Sequence, residues 1–294
     1  RSSAASDVYK RQEYIDTKCS IQFLAKKYKK DAMAISRAIK KAGYKVVNRQ
    51  NLIKINEHIF DTIDTEEKAY WLGFLFADGN VSKRDNCFEM SLAEKDKEHL
   101  EKFNNFINHS RNIKLKKVKL NNKVFNAYRC SFNSKHFCDT LKQYGCVPQK
   151  SNILKFPDEN IFSNKNLIKD FLRGYFDGDG CITHCNKEHT IIAIKICGTV
   201  EFLNKYQNYL PLNNHKITIT RSVPELTFMG GSGFTICNFL YQNSTIYLER
   251  KYELYKQYCR SYKKLYELLE SKIGESCDAN TEQIIDISQG SIAA

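Results

Sequence analysis

The chain has 294 residues and a formal net charge of +13, and basic surfaces of this kind favour a nucleic-acid partner because they bind phosphate through counterion release. The length accommodates a core of ~200 residues and a small accessory module. The longest apolar run, residues 69–77, is far shorter than the roughly 20 residues of a membrane-spanning helix, so no membrane partner is expected. Eleven scattered cysteines exclude a secreted disulfide framework and predict an intracellular protein, with cytoplasm, nucleus and organelle all left open.

The amino-terminal region is strongly basic, with 14 Lys or Arg against 5 Asp or Glu in residues 1–60. Residues 1–12 begin without methionine and are rich in Ser and Ala, which predicts an artefactual or disordered leader. Residues 13–48 predict two short amphipathic helices, with a turn at 29–31 and an end at Gly43. Their predicted inward face consists of Ile21, Leu24, Ala25, Tyr28, Ile35, Ala38 and Ile39.

This pattern resembles the small helix-turn-helix domains of resolvase-like recombinases and bacterial regulators. The resemblance implies that the second helix enters the major groove of DNA. The expected DNA-facing side chains are Ser36, Arg37, Lys40 and Lys41. The alternative is a small helical cap whose charged face is only solvated.

An internal repeat dominates the rest of the chain. The segment YWLGFLFADG at 70–79 recurs as DFLRGYFDGDG at 170–180, with an offset of 101 residues between Gly73 and Gly174 and between Asp78 and Asp179. A lysine follows each aspartate after 72 residues, at Lys150 and Lys251. The duplication predicts one active site built from two related halves.

Both repeated segments are apolar and predict buried helices. Thr65 and Ser163 are the expected N-caps, and Gly79 and Gly180 suit a left-handed residue after each helix end. The two aspartates then lie at helix C-termini, where the helix dipole disfavours a carboxylate. A glycine inside each helix indicates close helix–helix packing, which brings the carboxylates together and calls for a divalent cation between them.

The segment after each repeat predicts β-ribbons and helices in the same order. In the first half we expect an alternating strand at 88–92, a helix at 97–108 and a hairpin at 113–120 and 124–132. The second half repeats this with a strand at 192–196, a helix at 200–210 and a hairpin at 215–221 and 225–228, before a long helix at 249–271. One polar and basic ribbon face opposite an apolar face suits a sheet laid in a DNA groove. The residues expected to contact DNA there are Lys114, Lys116, Lys119, Lys216, Thr218 and Arg221.

The two motifs, their fixed offset and the spaced lysines resemble the LAGLIDADG homing endonucleases in the two-motif, single-chain form. The resemblance covers about residues 62–272 and implies an α+β fold, in which two pseudo-symmetric αββαββα halves form a β-saddle on double-stranded DNA. It further implies that Asp78 and Asp179 bind catalytic Mg²⁺, that Lys150 and Lys251 lie near the scissile phosphates, and that a monomer cuts DNA in intron or intein mobility. Trp71, Phe76 and Arg173 depart from the usual motif.

Other assignments remain open at this stage. Lys142 and Lys155 compete with Lys150, and Lys256 competes with Lys251, for the catalytic lysine roles. The alternative function is that of a non-cleaving relative, either an RNA maturase or a DNA-binding regulator. The expected domain limits are a linker at 49–61, a first half at 62–162, a second half at 163–272 and a flexible tail at 273–294.

Overall fold

A computed structural model describes residues 21–44, 54–83, 86–120, 123–184 and 191–274. The predicted leader at 1–12 and almost all of the predicted tail lie outside the described residues, and so do residues 49–53 of the predicted linker and residues 13–20 and 45–48 of the predicted helix-turn-helix region. The chain divides into two compact units between residues 55 and 56, and each is treated by itself. None of the helices in the described ranges combines the length and apolar character needed to cross a bilayer.

The small amino-terminal unit consists of α1 (Ile21–Tyr28) and α2 (Ala32–Lys41). Leu24, Ile35 and Ile39 form its buried centre, and Ile21, Ala25 and Tyr28 of the predicted apolar face pack around them. Asp31 caps α2 by accepting a hydrogen bond from the Ala34 amide at 3.0 Å. The helix ends just before Gly43, whose φ of 82° is a left-handed conformation that glycine adopts without strain. The two-helix pattern of the sequence is thus realised as a packed pair.

The large unit confirms the predicted α+β class, because it contains the αββαββα order twice. The first half comprises α3 (Glu66–Asp78), β1 (Gly79–Val81), β2 (Cys87–Ala93), α4 (Lys97–Phe106), β3 (Lys114–Leu120), β4 (Lys123–Asn133) and α5 (Lys135–Gln143). The second half comprises α6 (Leu167–Asp179), β5 (Gly180–His184), β6 (Ile192–Cys197), α7 (Val200–Gln207), β7 (Thr218–Thr220), β8 (Val223–Met229) and α8 (Gly231–Tyr241). A final helix, α9 (Glu249–Gly274), follows the second half.

Each half forms one antiparallel four-stranded sheet, with the strand orders β1-β2-β4-β3 and β5-β6-β8-β7. Alternation along β2 buries Phe88, Met90 and Leu92 and turns Glu89 and Ser91 to the other side. In the second sheet, Ile194 and Ile196 are buried on either side of Lys195. One face of each sheet therefore packs on the core and the other carries polar side chains.

Helices α3 and α6 pack against each other through their glycines. A Cβ on Gly73 would lie 2.0 Å from the Phe171 carbonyl oxygen, and a Cβ on Gly174 would lie 1.9 Å from the Tyr70 carbonyl oxygen. Because residues 70 and 171 share the same offset of 101, these contacts are related by a pseudo-two-fold axis. A Cβ on Gly178 would meet the Ala77 methyl at 2.3 Å, so this equivalent pair lies on the axis itself. Both helices end at an aspartate beside that pair.

Three local predictions were wrong. Gly79 and Gly180 are extended, with φ of −71° and −94°, because the chain passes directly from each helix into a strand. Helix α6 begins at Leu167 with Asn166 as its cap, since the Ser163 amide is held by the Ile63 carbonyl at 2.9 Å in a strand-like bridge. Thr65 does cap α3, as expected.

The ribbon predicted at 215–221 is also shorter than expected. Strand β7 covers only Thr218–Thr220, because Arg221 and Ser222 have φ of 51° and 70° and turn the chain into β8. The His215 ring packs against Phe228 at 4.3 Å between centroids. Lys216 consequently lies in the segment before β7 and outside the sheet.

Candidate functional site

The two repeated aspartates lie at the carboxyl ends of the crossed helices. Asp78 is half-buried and Asp179 is exposed, and the Asp78 Oδ2 atom would lie 3.3 Å from a Cβ on Gly178, the residue next to Asp179. The sequence order therefore brings both carboxyl groups to one end of the helix pair, beside the pseudo-two-fold axis. Oxygen donors of this kind are the ligands that Mg²⁺ prefers.

Electrostatics at this point disfavour two bare carboxylates. The pKa of Asp78 is raised to about 6, chiefly because burial withdraws the carboxyl group from water and secondly because Asp179 is negative. Asp179 is exposed at the surface, but the protein packed around its carboxyl group withdraws that group partly from water and likewise raises its pKa. A divalent cation would remove both penalties, so the residues present fit a metal of the Mg²⁺ type.

The repeated lysines donate hydrogen bonds to backbone carbonyl oxygens at the same helix ends. The Lys251 ammonium, which is 1% exposed, donates to the carbonyl oxygens of Phe176 at 2.6 Å, Asp177 at 2.9 Å and Gly180. These three acceptors engage all three of its hydrogens. Among the described residues, the half-buried Lys150 has one such acceptor, the Gly79 carbonyl oxygen. The two lysines thus occupy equivalent positions in the repeat but differ in their hydrogen bonds.

Each lysine also acts on the carboxyl group of the other half. Lys251 lowers the pKa of Asp78 more than Lys150 does, although burial outweighs both, and Lys150 is the larger influence on Asp179. Burial lowers the pKa of Lys251 itself to about 8. The two half-sites are therefore interleaved across the axis, and neither is complete within its own repeat.

The competing lysines are engaged elsewhere. Lys142 pairs with Asp139 at 3.2 Å, Lys155 with Glu201 at 3.1 Å, and Lys256 with Glu253 at 2.7 Å. Neither their ion pairs nor their hydrogen bonds involve the ends of α3 or α6 in the described parts of the chain. The geometry thus distinguishes Lys150 and Lys251 from their neighbours.

An open cavity of about 510 Å³ lies on the Asp179 side of the axis and includes Lys150, Thr199 and Ser222 in its wall. Tyr175 also lines it, and its hydroxyl donates to the Cys197 carbonyl oxygen at 2.8 Å. The position equivalent to Tyr175 in the first repeat is Phe74, which has no hydroxyl. Alignment of the two repeats already shows this difference between the half-sites. Only the fold shows that Tyr175 lies beside the Asp179 carboxylate.

A third carboxylate near the helix ends, the fully buried Asp177, was not expected to matter. Its oxygens accept hydrogen bonds from the Tyr70 hydroxyl at 2.7 Å, the Leu248 amide at 2.7 Å and the Tyr241 hydroxyl. Burial raises its pKa. Since Tyr70 lies on α3 and Asp177 on α6, this network ties the two halves together beneath the site.

Arg173, the unusual residue at the helix contact, has the partners that its burial demands. Its guanidinium group pairs with Glu66 at 2.7 Å and Asp170 at 2.8 Å, and it donates to the Ile246 carbonyl oxygen at 2.9 Å. These partners compensate the buried guanidinium charge, and loss of either carboxylate would leave that charge uncompensated in the interior. Arg173 therefore fastens the start of α3 to α6.

The predicted basic residues of the first sheet divide between its faces. The register pairs Lys114 with Arg129 and Lys116 with Ala127, which places these residues on the polar face with Glu89. Glu89 accepts from Lys116 at 2.7 Å and from Arg129 at 3.3 Å. Lys119 lies on the opposite face, so the expectation that it shares a surface with Lys114 and Lys116 was wrong. Its odd-numbered place in the alternation already indicated this.

The second sheet carries an analogous polar face. Lys195 pairs with Glu225 at 3.0 Å, and Glu225 accepts from the Thr220 hydroxyl at 2.7 Å. Thr218 lies on this same face through its register with Glu225, and Arg221 is exposed in the following turn. Arg129 and Lys195 were not expected as surface residues of the site, although strand alternation could have identified both.

In the amino-terminal unit, the predicted DNA-facing residues lie on α2. Arg37, Lys40 and Lys41 are exposed, while Ser36 is half-buried. The Arg37 Nε donates to the Met33 carbonyl oxygen at 3.4 Å. Their contact with DNA stays a prediction.

Neither a protein-family model nor a curated protein sequence matches the chain. Among solved structures, the homing endonuclease I-WcaI bound to its DNA recognition sequence is 17% identical, with 71% of this chain and 98% of that chain covered and a TM-score of 0.52. The LAGLIDADG homing endonuclease I-LtrWI bound to target DNA is 14% identical over 71% and 92% of the two chains, with a TM-score of 0.42. The N-terminal LAGLIDADG domain of WhiA is 16% identical over 72% and 98%, with a TM-score of 0.39. The chain therefore has the fold of the LAGLIDADG homing endonucleases, as its repeated motif indicated.

Proposed function

We propose that this protein is a metal-dependent endonuclease that cuts both strands of a specific double-stranded DNA site. The observation that carries the proposal is the pair of carboxylates at the ends of α3 and α6, related by a pseudo-two-fold axis. The two strands of a DNA duplex are themselves related by a two-fold axis, so one carboxylate would serve each strand. The fold shared with I-WcaI, which is described bound to its DNA recognition sequence, supports this reading.

Asp78 and Asp179 would hold the divalent metal through carboxylate oxygens. When bound, a metal of this kind lowers the pKa of an attacking water and stabilises the charge that develops on the phosphate and on the leaving oxygen. The protein's own contribution is to fix both carboxylates on rigid helix ends. Burial and mutual repulsion make these carboxyl groups costly without a cation and so favour its binding.

The two lysines would contribute differently. Lys150 has a single carbonyl acceptor among the described residues and borders the cavity beside Asp179, so its remaining hydrogens can reach a phosphate oxygen or an ordered water. Lys251 would have to give up a carbonyl partner to do the same. Its role is therefore to position the end of α6 and the start of β5, where Asp179 is located.

DNA would lie along the polar faces of the two sheets. Lys114, Lys116 and Arg129 supply positive charge on one face, and Lys195 and Arg221 supply it on and beside the other. Glu89 and Glu225 partly neutralise these groups, and they would also limit which base edges are accepted, since a carboxylate accepts hydrogen bonds but donates none. The amino-terminal helix pair would add a separate contact.

The experiment is cleavage of a randomised-site DNA library by the full chain in Mg²⁺, followed by mapping of the product ends. We expect staggered or blunt double-strand ends at a limited set of sequences. Asp78→Asn and Asp179→Asn should each abolish double-strand products while DNA retention on a filter stays within a fewfold of the parent.

The matched control is Asp64→Asn, which removes an exposed carboxylate before the opposite end of α3, where it pairs with Lys68 at 2.8 Å. This variant should cut as the parent does. Double-strand cutting that survives in Asp78→Asn or Asp179→Asn would refute the assignment of these residues as metal ligands. A parent chain that binds library DNA without cutting it would refute the proposed nuclease function.

A non-cleaving role is the second candidate, and the saturation of the Lys251 hydrogens is the observation that favours it. An RNA maturase or a DNA-binding regulator would use the same polar faces and would not need the metal. Its binding to RNA or DNA should then be independent of Mg²⁺ and unchanged in the two aspartate variants, with no cleaved product at any time point.

A further inference from the structure

A second cluster of metal-ligating side chains lies away from the helix ends, and the proposed function does not use it. His58 and Asp61 belong to the turn that precedes α3, and His136 belongs to the first turn of α5. The His58 Nδ1 and the His136 Nε2 lie 2.8 Å and 2.6 Å from the two oxygens of Asp61. All three potential ligand atoms lie within 4.8 Å of one another.

We propose that His58, Asp61 and His136 form a binding site for a divalent transition metal of the Zn²⁺ class. Two imidazole nitrogens and one carboxylate are a donor set that suits Zn²⁺ and disfavours Mg²⁺, which prefers oxygen ligands. The site is thus chemically distinct from the pair of aspartates at the helix ends. A water molecule would complete the four-coordinate shell, because the three side chains are exposed.

The required rearrangement is small. Tetrahedral ligands about 2.1 Å from Zn²⁺ lie about 3.4 Å from one another, so no pair has to move by more than about 1.4 Å. The side chains involved face solvent, and the two imidazole rings already lie 4.2 Å apart between centroids. Rotation of exposed side chains is sufficient, without a change in the backbone.

The backbone that carries these ligands is held in place by residues that would not touch the metal. The Ser134 hydroxyl donates to Glu57 at 2.6 Å, and the Tyr144 hydroxyl donates to the Phe60 carbonyl oxygen at 2.8 Å. Phe60 is buried and packs on Phe137 at 5.6 Å between ring centroids. The turn is therefore fixed to both ends of α5, and such preorganisation lowers the cost of binding. A bound metal would add one more link between the turn before α3 and helix α5.

The experiment is a calorimetric titration of the chelator-stripped full chain with Zn²⁺ alone. Wild type should show one binding event that His136→Ala lacks, and His58→Ala and Asp61→Asn should lose it as well. Lys135→Ala, which removes an exposed neighbour in the same helical turn, is the matched control and should retain the event. Mg²⁺ at the same concentration should not produce it.

A second measurement guards against folding artefacts and against the chain's many cysteines. Zn²⁺ should raise the thermal midpoint of wild type and of the Asp78→Asn/Asp179→Asn double variant, but not that of His136→Ala. The metal-free midpoint of His136→Ala should stay close to that of wild type, since the side chain is exposed and loses only a surface contact with Asp61. Equal Zn²⁺ stoichiometry and affinity in wild type and His136→Ala would overturn the site, whatever the outcome of the cleavage assays.

Discussion

The contact between α3 and α6 makes a sharp prediction about alanine substitution of the two helix-interface glycines. In an isolated helix, Gly→Ala stabilises by about 1 kcal/mol. Here the added methyl at Gly73 or Gly174 would lie 2.0 Å or 1.9 Å from a backbone carbonyl oxygen, against an ordinary contact of 3.4 Å or more. The helices would have to separate by about 1.4 Å, and neither backbone can rotate away as a side chain would.

Overpacking of a well-filled interior costs about 1–3 kcal/mol, and contact with rigid backbone places these sites at the upper end. After the helix-propensity gain, each substitution should lower the free energy of unfolding by about 2 kcal/mol, which corresponds to a fall in the thermal midpoint of roughly 4–8 °C for a unit of this size. Trp71, the single tryptophan, is buried on α3, so its fluorescence reports this unit directly during urea or thermal unfolding.

Gly231 is the matched control, because it is the first residue of α8 and a Cβ there would meet nothing within 4 Å. Gly231→Ala should shift stability by less than about 0.5 kcal/mol. If Gly73→Ala and Gly174→Ala are as stable as Gly231→Ala, the close approach of the central helices is refuted, and with it the placement of the two aspartates.

Three other perturbations test separate parts of the molecule. Because the pKa of Asp78 is raised in the folded state, the stability that its protonated form contributes is complete below pH ~4 and is lost as the pH rises through about 6. The free energy of unfolding of metal-free Asp78→Asn should therefore exceed that of wild type by about 1–2 kcal/mol at pH 8 and differ little at pH 4. Urea unfolding in EDTA measures this difference. Lys251→Met should unfold at least ~5 °C below wild type because it leaves three buried carbonyl oxygens without this donor, whereas Lys150→Met, which loses one such acceptor, should melt closer to wild type and lose cleavage. Equal melting of the two variants would contradict their unequal bonding. Deletion of residues 13–48 should leave DNA cleavage possible, but it should weaken DNA affinity, make that affinity less dependent on salt and shorten the DNA footprint on one flank. A footprint unchanged on both flanks would show that the helix pair does not touch DNA.

The sequence was most informative where it repeats itself. The fixed offset between Asp78 and Asp179 was enough to predict two equivalent helices and the meeting of the two carboxyl groups, and hydrophobic periodicity predicted the strand and helix order of each half. Apolar alternation likewise predicted the buried residues of β2, but in β6 it missed the buried Ala193. These features follow from local periodicity or from duplication, and both can be read along the chain.

What could not be predicted depends on contacts between distant segments. The hydrogen bonds of Lys251 to Phe176, Asp177 and Gly180 span more than 70 residues, and the same residue type at the same offset is bonded differently at Lys150. Neither spacing nor residue type distinguishes the two lysines. The extended conformation of Gly79 and Gly180 was missed for a related reason, since the usual end of a helix gives way here to a strand that starts at once.

The domain limits, the DNA-facing role of α2 and the cellular compartment stay predictions, because they concern partners and surroundings beyond the fold. The cluster of His58, Asp61 and His136 had no sequence signal at all. Asp61 and His136 are 75 residues apart in the chain, and no sequence motif relates the turn to α5.

The unequal pair on the pseudo-two-fold axis limits how this fold could be assembled from identical subunits. Two copies of the first repeat would bring two alanine methyls to the 2.3 Å separation found for Ala77 and a Cβ at Gly178, which no packed structure tolerates. Two copies of the second repeat would leave a gap where the one methyl now fits. The present helix spacing therefore excludes alanine from this position in both halves at once, and fusion into a single polypeptide lets the two repeats keep alanine in one half and glycine in the other.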